Sequence, residues 1–170
     1  MSSLCAILPE FPVPADYHEP MPLEGQSDPS RAGFETNVSR AFQVLALRWL
    51  DGLLARHDNL KATCRKNRIT VSPVSVHGFA ATLSTEGGRC RVLLGPCCEE
   101  FGSVAEATDY MTAAIRGDLR LRVDLNWQPH RWAVERLLPD GSWIDDAAVD
   151  VPEGSHWCAP KDSCYFRNSL

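Results

Sequence analysis

The sequence lacks the long apolar run that a membrane-spanning helix requires, which is about 20 residues. Its longest helical stretch, Val38 to Leu54, is interrupted by two arginines and an aspartate. The start of the chain also lacks the basic residue and the sustained apolar segment of a secretory signal, because "MSSLCAILPEF" reaches Pro9 at once. We therefore expect no membrane span, no secretory signal and a cytoplasmic location.

Sequence motifs of several large enzyme classes are also absent. The chain has no glycine-rich phosphate loop, no GxGxxG, no HExxH, no GxSxG and no EF-hand pattern. Each of these motifs places its functional groups on one local element, so their absence excludes the classes that depend on them. Cysteine, histidine and carboxylate chemistry stays open, but we expect a non-catalytic protein.

The chain also lacks a strong positive charge. The net charge is −5, and both ends are acidic: residues 1–37 carry six acidic side chains and one arginine, and residues 139–170 carry six acidic and two basic ones. This balance does not fit a dedicated nucleic-acid-binding protein. One basic run follows the first predicted helix. It could bind phosphate groups of a nucleic acid weakly, but cations there are already explained because they stabilise the negative end of the helix dipole. The run consists of Arg56, Lys61, Arg65, Lys66 and Arg68.

Cysteine is present in a number that argues against a disulfide framework. Seven cysteines are an odd count in a chain of 170 residues, and no secretory signal is expected. Free cysteine packs as a small apolar residue, so filling of the core is the ordinary explanation for most of them.

Proline divides the chain. Residues 1–33 contain six of the twelve prolines and no sustained apolar period, which predicts an extended or disordered arm. Residues 34–150 are expected to form a single domain. Residues 151–170 are expected to form a tail that docks on that domain.

The clearest helix is predicted from Asn37 to about Asn59. Its apolar residues recur at spacings of four and three, and further apolar residues widen the stripe until only a narrow polar face remains. The first set is Val38, Phe42, Leu45, Trp49 and Leu53; the second is Ala41, Leu47, Leu50 and Leu54. Such a helix must be covered on more than one side, so it is either the central helix of the core or a surface for self-association.

Alternating segments follow the helix. Apolar residues recur with a period of two beyond Ile69, and a glycine turn at 85–89 indicates a hairpin. The sequence "SVAE", Ser103 to Glu106, is a capping box that opens a second helix, and Gly117 is a natural stop. Residues 119–127 alternate as a strand, although a continued helix would also accommodate their apolar spacing.

The order of these elements predicts an α+β fold. Strands joined by tight turns pair antiparallel, and two helices can cover one face of such a sheet. We therefore expect one antiparallel sheet of about four to six strands packed against two helices in the order α-β-β-α-β-β, preceded by the proline-rich arm.

Tryptophan is concentrated near the end of the chain. Clustered tryptophans usually close a core, but a partly exposed set makes a binding face because each large flat ring contributes much contact area. The candidate binding residues are Trp127, Trp132, Trp143 and Trp157, together with Trp49 of the first helix.

The segment "HWCAPKDSCYF" supplies the alternative chemistry. A zinc site needs four tetrahedral ligands, and His156, Cys158 and Cys164 would need Cys97 and Cys98 as partners. Adjacent residues in an extended chain point apart, which makes that pair poor ligands for one ion. A cysteine-dependent enzyme would instead use Cys158 with a histidine base, which could be His156 or, brought in by the fold, His77 or His130.

The preferred hypothesis is therefore a protein-interaction or small-ligand-binding domain without a cofactor, which binds through the tryptophan-rich face or the first helix. Self-association through that helix is its simplest form. A cysteine-dependent enzyme or a zinc protein is the alternative.

Overall fold

The structure of the chain is a computed structural model that describes residues 29–65, 67–73, 77–86, 88–124, 130–151 and 164–169. These residues contain two helices and nine strands. In chain order the elements are α1 Pro29–Leu54, β1 Ala62–Arg65, β2 Arg68–Val71, β3 Ala81–Glu86, β4 Arg89–Leu94, β5 Cys97–Phe101, α2 Val104–Arg116, β6 Leu119–Asp124, β7 His130–Leu137, β8 Trp143–Val151 and β9 Cys164–Arg167. Within the described ranges, no helix is long and apolar enough to cross a membrane.

The α+β class is confirmed, but the strands form two antiparallel sheets where we expected one. The first sheet has the order β1-β2-β3-β4-β5, and the second has the order β8-β7-β6-β9. Five strands follow α1 and four follow α2, whereas the predicted order had two strands after each helix. The difference arises partly at Gly95, whose positive φ of 58° makes a tight turn that returns the chain as β5.

Helix α1 begins at Pro29, inside the segment expected to be arm, and ends at Leu54. Proline suits the first position of a helix because its φ is already helical and the missing N–H would have no partner there. Among the α1 side chains that the structure describes, the buried ones are Phe42, Ala46, Leu50 and Leu53, whereas Leu45 of the predicted stripe is exposed. Residues 1–28, the greater part of the predicted arm, lie outside the described residues.

Helix α2 has the ends that the sequence predicts. The Ser103 hydroxyl accepts a hydrogen bond from the Glu106 N–H at 3.2 Å, and Gly117 adopts a left-handed conformation with φ 85°. The buried face of the helix includes Ala107, Met111 and Ala114. It contacts β3, β4 and β5 of the first sheet, β6 of the second sheet, and α1. Helix α2 is therefore the element around which both sheets pack.

The end of the chain joins the two sheets. Strand β9 pairs antiparallel with β6, and residues 152–163 before it lie outside the described residues. The buried Asn168 side chain accepts a hydrogen bond from the Phe79 N–H at 3.1 Å and donates to the carbonyls of Phe79 at 3.0 Å and Ala114 at 3.3 Å. Residues 119–124 form β6, so the strand prediction is confirmed for that part of 119–127.

Two glycines with nearly equal positive φ test this junction. A Cβ on Gly117 would overlap the backbone carbonyl oxygen of Asn168, whereas a Cβ on Gly141, at φ 83°, would meet nothing within 4 Å. Gly141→Ala should therefore cost only the left-handed strain, about 1 kcal/mol in free energy of unfolding. Gly117→Ala should cost about 3 kcal/mol or more, because the end of β9 must also move. Urea denaturation of the two variants measures both values, and equal losses would contradict the junction described here.

Candidate functional site

The three tryptophans within the described residues do not share one surface. Trp49 is half-buried on α1, and its indole N–H donates to the Thr112 hydroxyl of α2 at 2.9 Å. Trp132 is buried and stacks on Phe166 with ring centroids 6.1 Å apart. Trp143 is half-buried and lies against Arg120. Both are on the face of the second sheet opposite to that of Trp132. Trp127 and Trp157 lie outside the described residues.

Trp143 belongs to a charge cluster on the outer face of the second sheet. The Arg120 guanidinium lies 4.1 Å from the centroid of the Trp143 ring and 4.2 Å from that of Tyr165. The buried Glu135 carboxylate accepts hydrogen bonds from Arg120 at 2.5 Å and from Arg122 at 2.7 Å. The ion pairs and ring contacts within the cluster occupy both guanidinium groups, which is the arrangement of a structural network rather than of an open ligand site.

The cysteines of the zinc hypothesis are separated by the pleat of β5. Cys97 is buried with its sulfur 3.9 Å from the Trp132 carbonyl oxygen, whereas Cys98 is exposed. Burial raises the pKa of Cys97 to about 12. Partial desolvation of the otherwise exposed Cys98 thiol, with the charges of Glu99 and Glu100, raises the pKa of Cys98 as well, so neither thiol is a ready thiolate at neutral pH.

The other residues of that hypothesis are only partly described. His156 and Cys158 lie outside the described residues, and Cys164 is the first residue of β9, opposite Val123. Among the residues that the structure describes, no three histidine, cysteine, aspartate or glutamate side chains are grouped as metal ligands.

A second polar cluster, which the sequence did not indicate, lies where α2 meets both sheets. Arg136 donates to the Asp146 carboxylate at 2.9 Å and 3.2 Å, and its guanidinium lies 5.5 Å from the centroid of the Tyr110 ring. Burial raises the pKa of Tyr110 and of Glu99, and the charge of Asp146 raises both further. Tyr110 and Glu99 are therefore both less acidic than usual, beside one ion pair.

The outward side of α1 carries exposed apolar residues. The side chains of Val44, Leu45 and Leu47 are 47%, 50% and 40% exposed. Residues at positions 40, 44, 47 and 51 fall within about 60° of the helix circumference at 100° per residue. We call the exposed set Arg40, Val44, Leu47 and Asp51 the α1 stripe. Leu45 lies about 100° away from Val44 and is outside it.

A groove runs beside the α1 stripe, between α1 and the edge of the first sheet. It encloses about 300 Å³ and is open to solvent. Strand β1 is the last strand of that sheet, with β2 as its one neighbour in the described chain. We call this feature the α1–β1 groove; its lining includes Phe42, Ala46 and Leu47 from α1 and Cys64, Arg65 and Ile69 from β1 and β2.

The charge cluster of the second sheet predicts a large loss when its buried carboxylate is neutralised. Glu135→Gln leaves Arg120 and Arg122 adjacent without their shared anion, and we expect a loss of about 2 to 4 kcal/mol in free energy of unfolding. Glu100 accepts from Arg89 and Arg91 in the same two-arginine arrangement, but on the exposed face of the first sheet. Glu100→Gln is therefore the matched control with a much smaller expected loss, and equal losses in urea denaturation would refute this account of the cluster.

The buried thiol predicts a dependence on alkaline pH. Cys97 ionises in the unfolded chain above pH 9.0 but stays neutral in the folded chain up to about 12. The stability contributed by the neutral thiol is therefore complete below pH 9 and is lost as pH rises toward 12. The destabilisation caused by Cys97→Ala should be smaller at pH 10 than at pH 7, by about 1 kcal/mol. Alkali acts on the rest of the fold equally in the wild type and the variant, so those effects cancel. A destabilisation by Cys97→Ala that is the same at pH 7 and pH 10 would contradict burial of the thiol.

Comparison with known proteins identifies no relative of this chain. No family model, no curated protein and no solved structure matches it. A function can therefore be inferred only from this chain's own residues and contacts.

Proposed function

We propose that this chain is a non-catalytic protein-interaction domain that binds a second copy of itself through the α1 stripe. The observation that carries the proposal is the exposure of Val44 and Leu47, at 47% and 40%, on a helix whose opposite side lies in the core. Single exposed apolar residues are common on protein surfaces, but adjacent ones on a regular element mark interaction surfaces.

The stripe is complementary to itself. Its residues follow one another at spacings of four, three and four. A second helix that runs antiparallel about a two-fold axis between positions 45 and 46 brings Val44 opposite Leu47 of the other copy. The same axis brings Arg40 opposite Asp51, and symmetry repeats both pairs. An apolar centre with charged pairs at its ends is the usual arrangement of a protein interface.

The proposed dimer is weak. Two short helix surfaces bury less area than the roughly 1,600 Å² of a standard stable interface. Its exposed ion pairs contribute little, so Val44 and Leu47 supply most of the attraction. We expect a dissociation constant on the order of 10 µM.

The cysteines support a reducing compartment for this domain. Cys64, Cys90, Cys97 and Cys98 are free thiols. Free thiols persist in the cytoplasm, so a cytoplasmic location remains part of the proposal.

Sedimentation equilibrium tests the proposal across protein concentrations of about 1 to 300 µM, which span the expected dissociation constant. The wild-type chain should pass from monomer to dimer over that range. Val44→Lys and Leu47→Lys should each keep the chain monomeric, because each places two cations in the apolar centre of the interface. Circular dichroism checks that the variants are folded.

Leu45→Lys is the matched control, because Leu45 is 50% exposed but lies outside the stripe. This variant should dimerise as the wild type does. Arg40→Glu should weaken the dimer, and the double variant Arg40→Glu with Asp51→Arg should restore it. The proposal would be wrong if the wild-type chain stays monomeric, or if Leu45→Lys weakens dimerisation as much as Leu47→Lys does.

A further inference from the structure

The α1–β1 groove needs a cover of a particular kind. Among the described residues, β1 is paired on one side only, and an open strand edge is a site at which natural proteins place a covering segment. The groove's floor is the core itself, formed by the buried Phe42, Ala46 and Ile69. An extended segment laid along β1 would satisfy the backbone groups of the edge and cover this floor.

The two faces of β1 set the pattern that such a segment must have. Cys64 lies opposite Ile69 and lines the groove, so one face of an added strand would meet apolar groups. Arg65 lies opposite Arg68 on the other face, where both arginines line a second hollow of about 240 Å³. Like charges placed directly opposite each other are unfavourable, so this face favours acidic neighbours. The segment must therefore alternate apolar residues with acidic or neutral ones.

The chain contains a segment with this pattern in "EFPVPADY", Glu10 to Tyr17. Its odd positions are apolar or aromatic: Phe11, Val13, Ala15 and Tyr17. Its even positions are the two acids Glu10 and Asp16 and the two prolines Pro12 and Pro14. In a strand, the N–H and C=O groups of every second residue point toward the same neighbouring strand. If the segment pairs with β1 through its odd positions, the backbone of both prolines therefore faces away from β1.

The length and the charge of the arm also fit. Residues 1–28 carry five acidic side chains and no lysine or arginine. The groove residues 42–47 lie 13 to 18 positions into α1, about 20 to 27 Å from its start at Pro29. The eleven residues 18–28 can span up to about 36 Å. The segment can therefore reach the groove of its own chain.

We propose that Glu10 to Tyr17 docks in the α1–β1 groove of the same chain as an additional strand beside β1. Phe11, Val13 and Ala15 face the groove, and Glu10 and Asp16 lie on the side of Arg65. This docking goes beyond the self-association proposed above and does not require it: of the four stripe residues, only Leu47 also lines the groove.

Disulfide trapping with the native Cys64 tests the proposal in the full-length chain. Single cysteines are introduced at positions 11, 12, 13, 14 and 15, each variant is oxidised at low protein concentration, and the bond to Cys64 is mapped by mass spectrometry of its peptides. Docking predicts that Phe11→Cys, Val13→Cys or Ala15→Cys forms the bond within one chain. Pro12→Cys and Pro14→Cys should give at least roughly threefold less, because their side chains face away. Leu23→Cys is the control outside the segment.

A second measurement reports docking without a new cysteine. Phe11→Asp with Val13→Asp should speed the alkylation of Cys64 by N-ethylmaleimide at least roughly threefold, because the covered thiol becomes open. Met21→Asp with Leu23→Asp should leave that rate unchanged. The proposal is overturned if bonds to Cys64 form equally at odd and even positions, if they form between two chains, or if Phe11→Asp with Val13→Asp raises the alkylation rate no more than Met21→Asp with Leu23→Asp does.

Discussion

The hydrogen bonds of one buried amide fix the relation between the two sheets, and the position of α1 follows from it. Asn168, just after β9 of the second sheet, bonds to Phe79, just ahead of β3 in the first sheet, and to Ala114 in α2. Buried polar groups that lose their partners cost free energy, so these segments are held together. Helix α2 in turn holds α1 through the bond from Trp49 to Thr112. This chain of contacts turns one side of α1 to the core and the other to solvent.

Local signals in the sequence predicted the helices better than the sheets. The capping box at Ser103 and the stop at Gly117 act within one turn of the chain, and both are confirmed in α2. The start of α1 was missed because Pro29 was counted with the prolines of the arm. The division into two sheets was also missed, because a period of two shows which side chains share a face but not which strands are neighbours. That choice depends on long-range contacts such as those of Asn168.

The candidate site was also predicted only in part, because sequence patterns do not show long-range contacts. The wide apolar circumference of α1 predicted a helix covered on more than one side, either at the centre of the core or by a second copy; in the described chain Val44, Leu45 and Leu47 are exposed. The complementarity of Arg40 and Asp51 was missed, because on the sequence these charges only interrupted the stripe. Trp132 and Trp143 were expected to be candidates for one surface but lie on opposite faces of the second sheet, since strand register and the irregularity between Val134 and Glu135 decide which way each ring points.

We propose that α1 has two contact surfaces, one packed in the core of its own chain and one that binds a second copy. Amide hydrogen exchange followed by mass spectrometry tests this most directly when the same chain is compared well below and well above the concentration at which it dimerises. The claim predicts that protection of residues 40–51 rises with concentration while protection of α2 is unchanged. Exchange in residues 40–51 that is the same at both concentrations would contradict it.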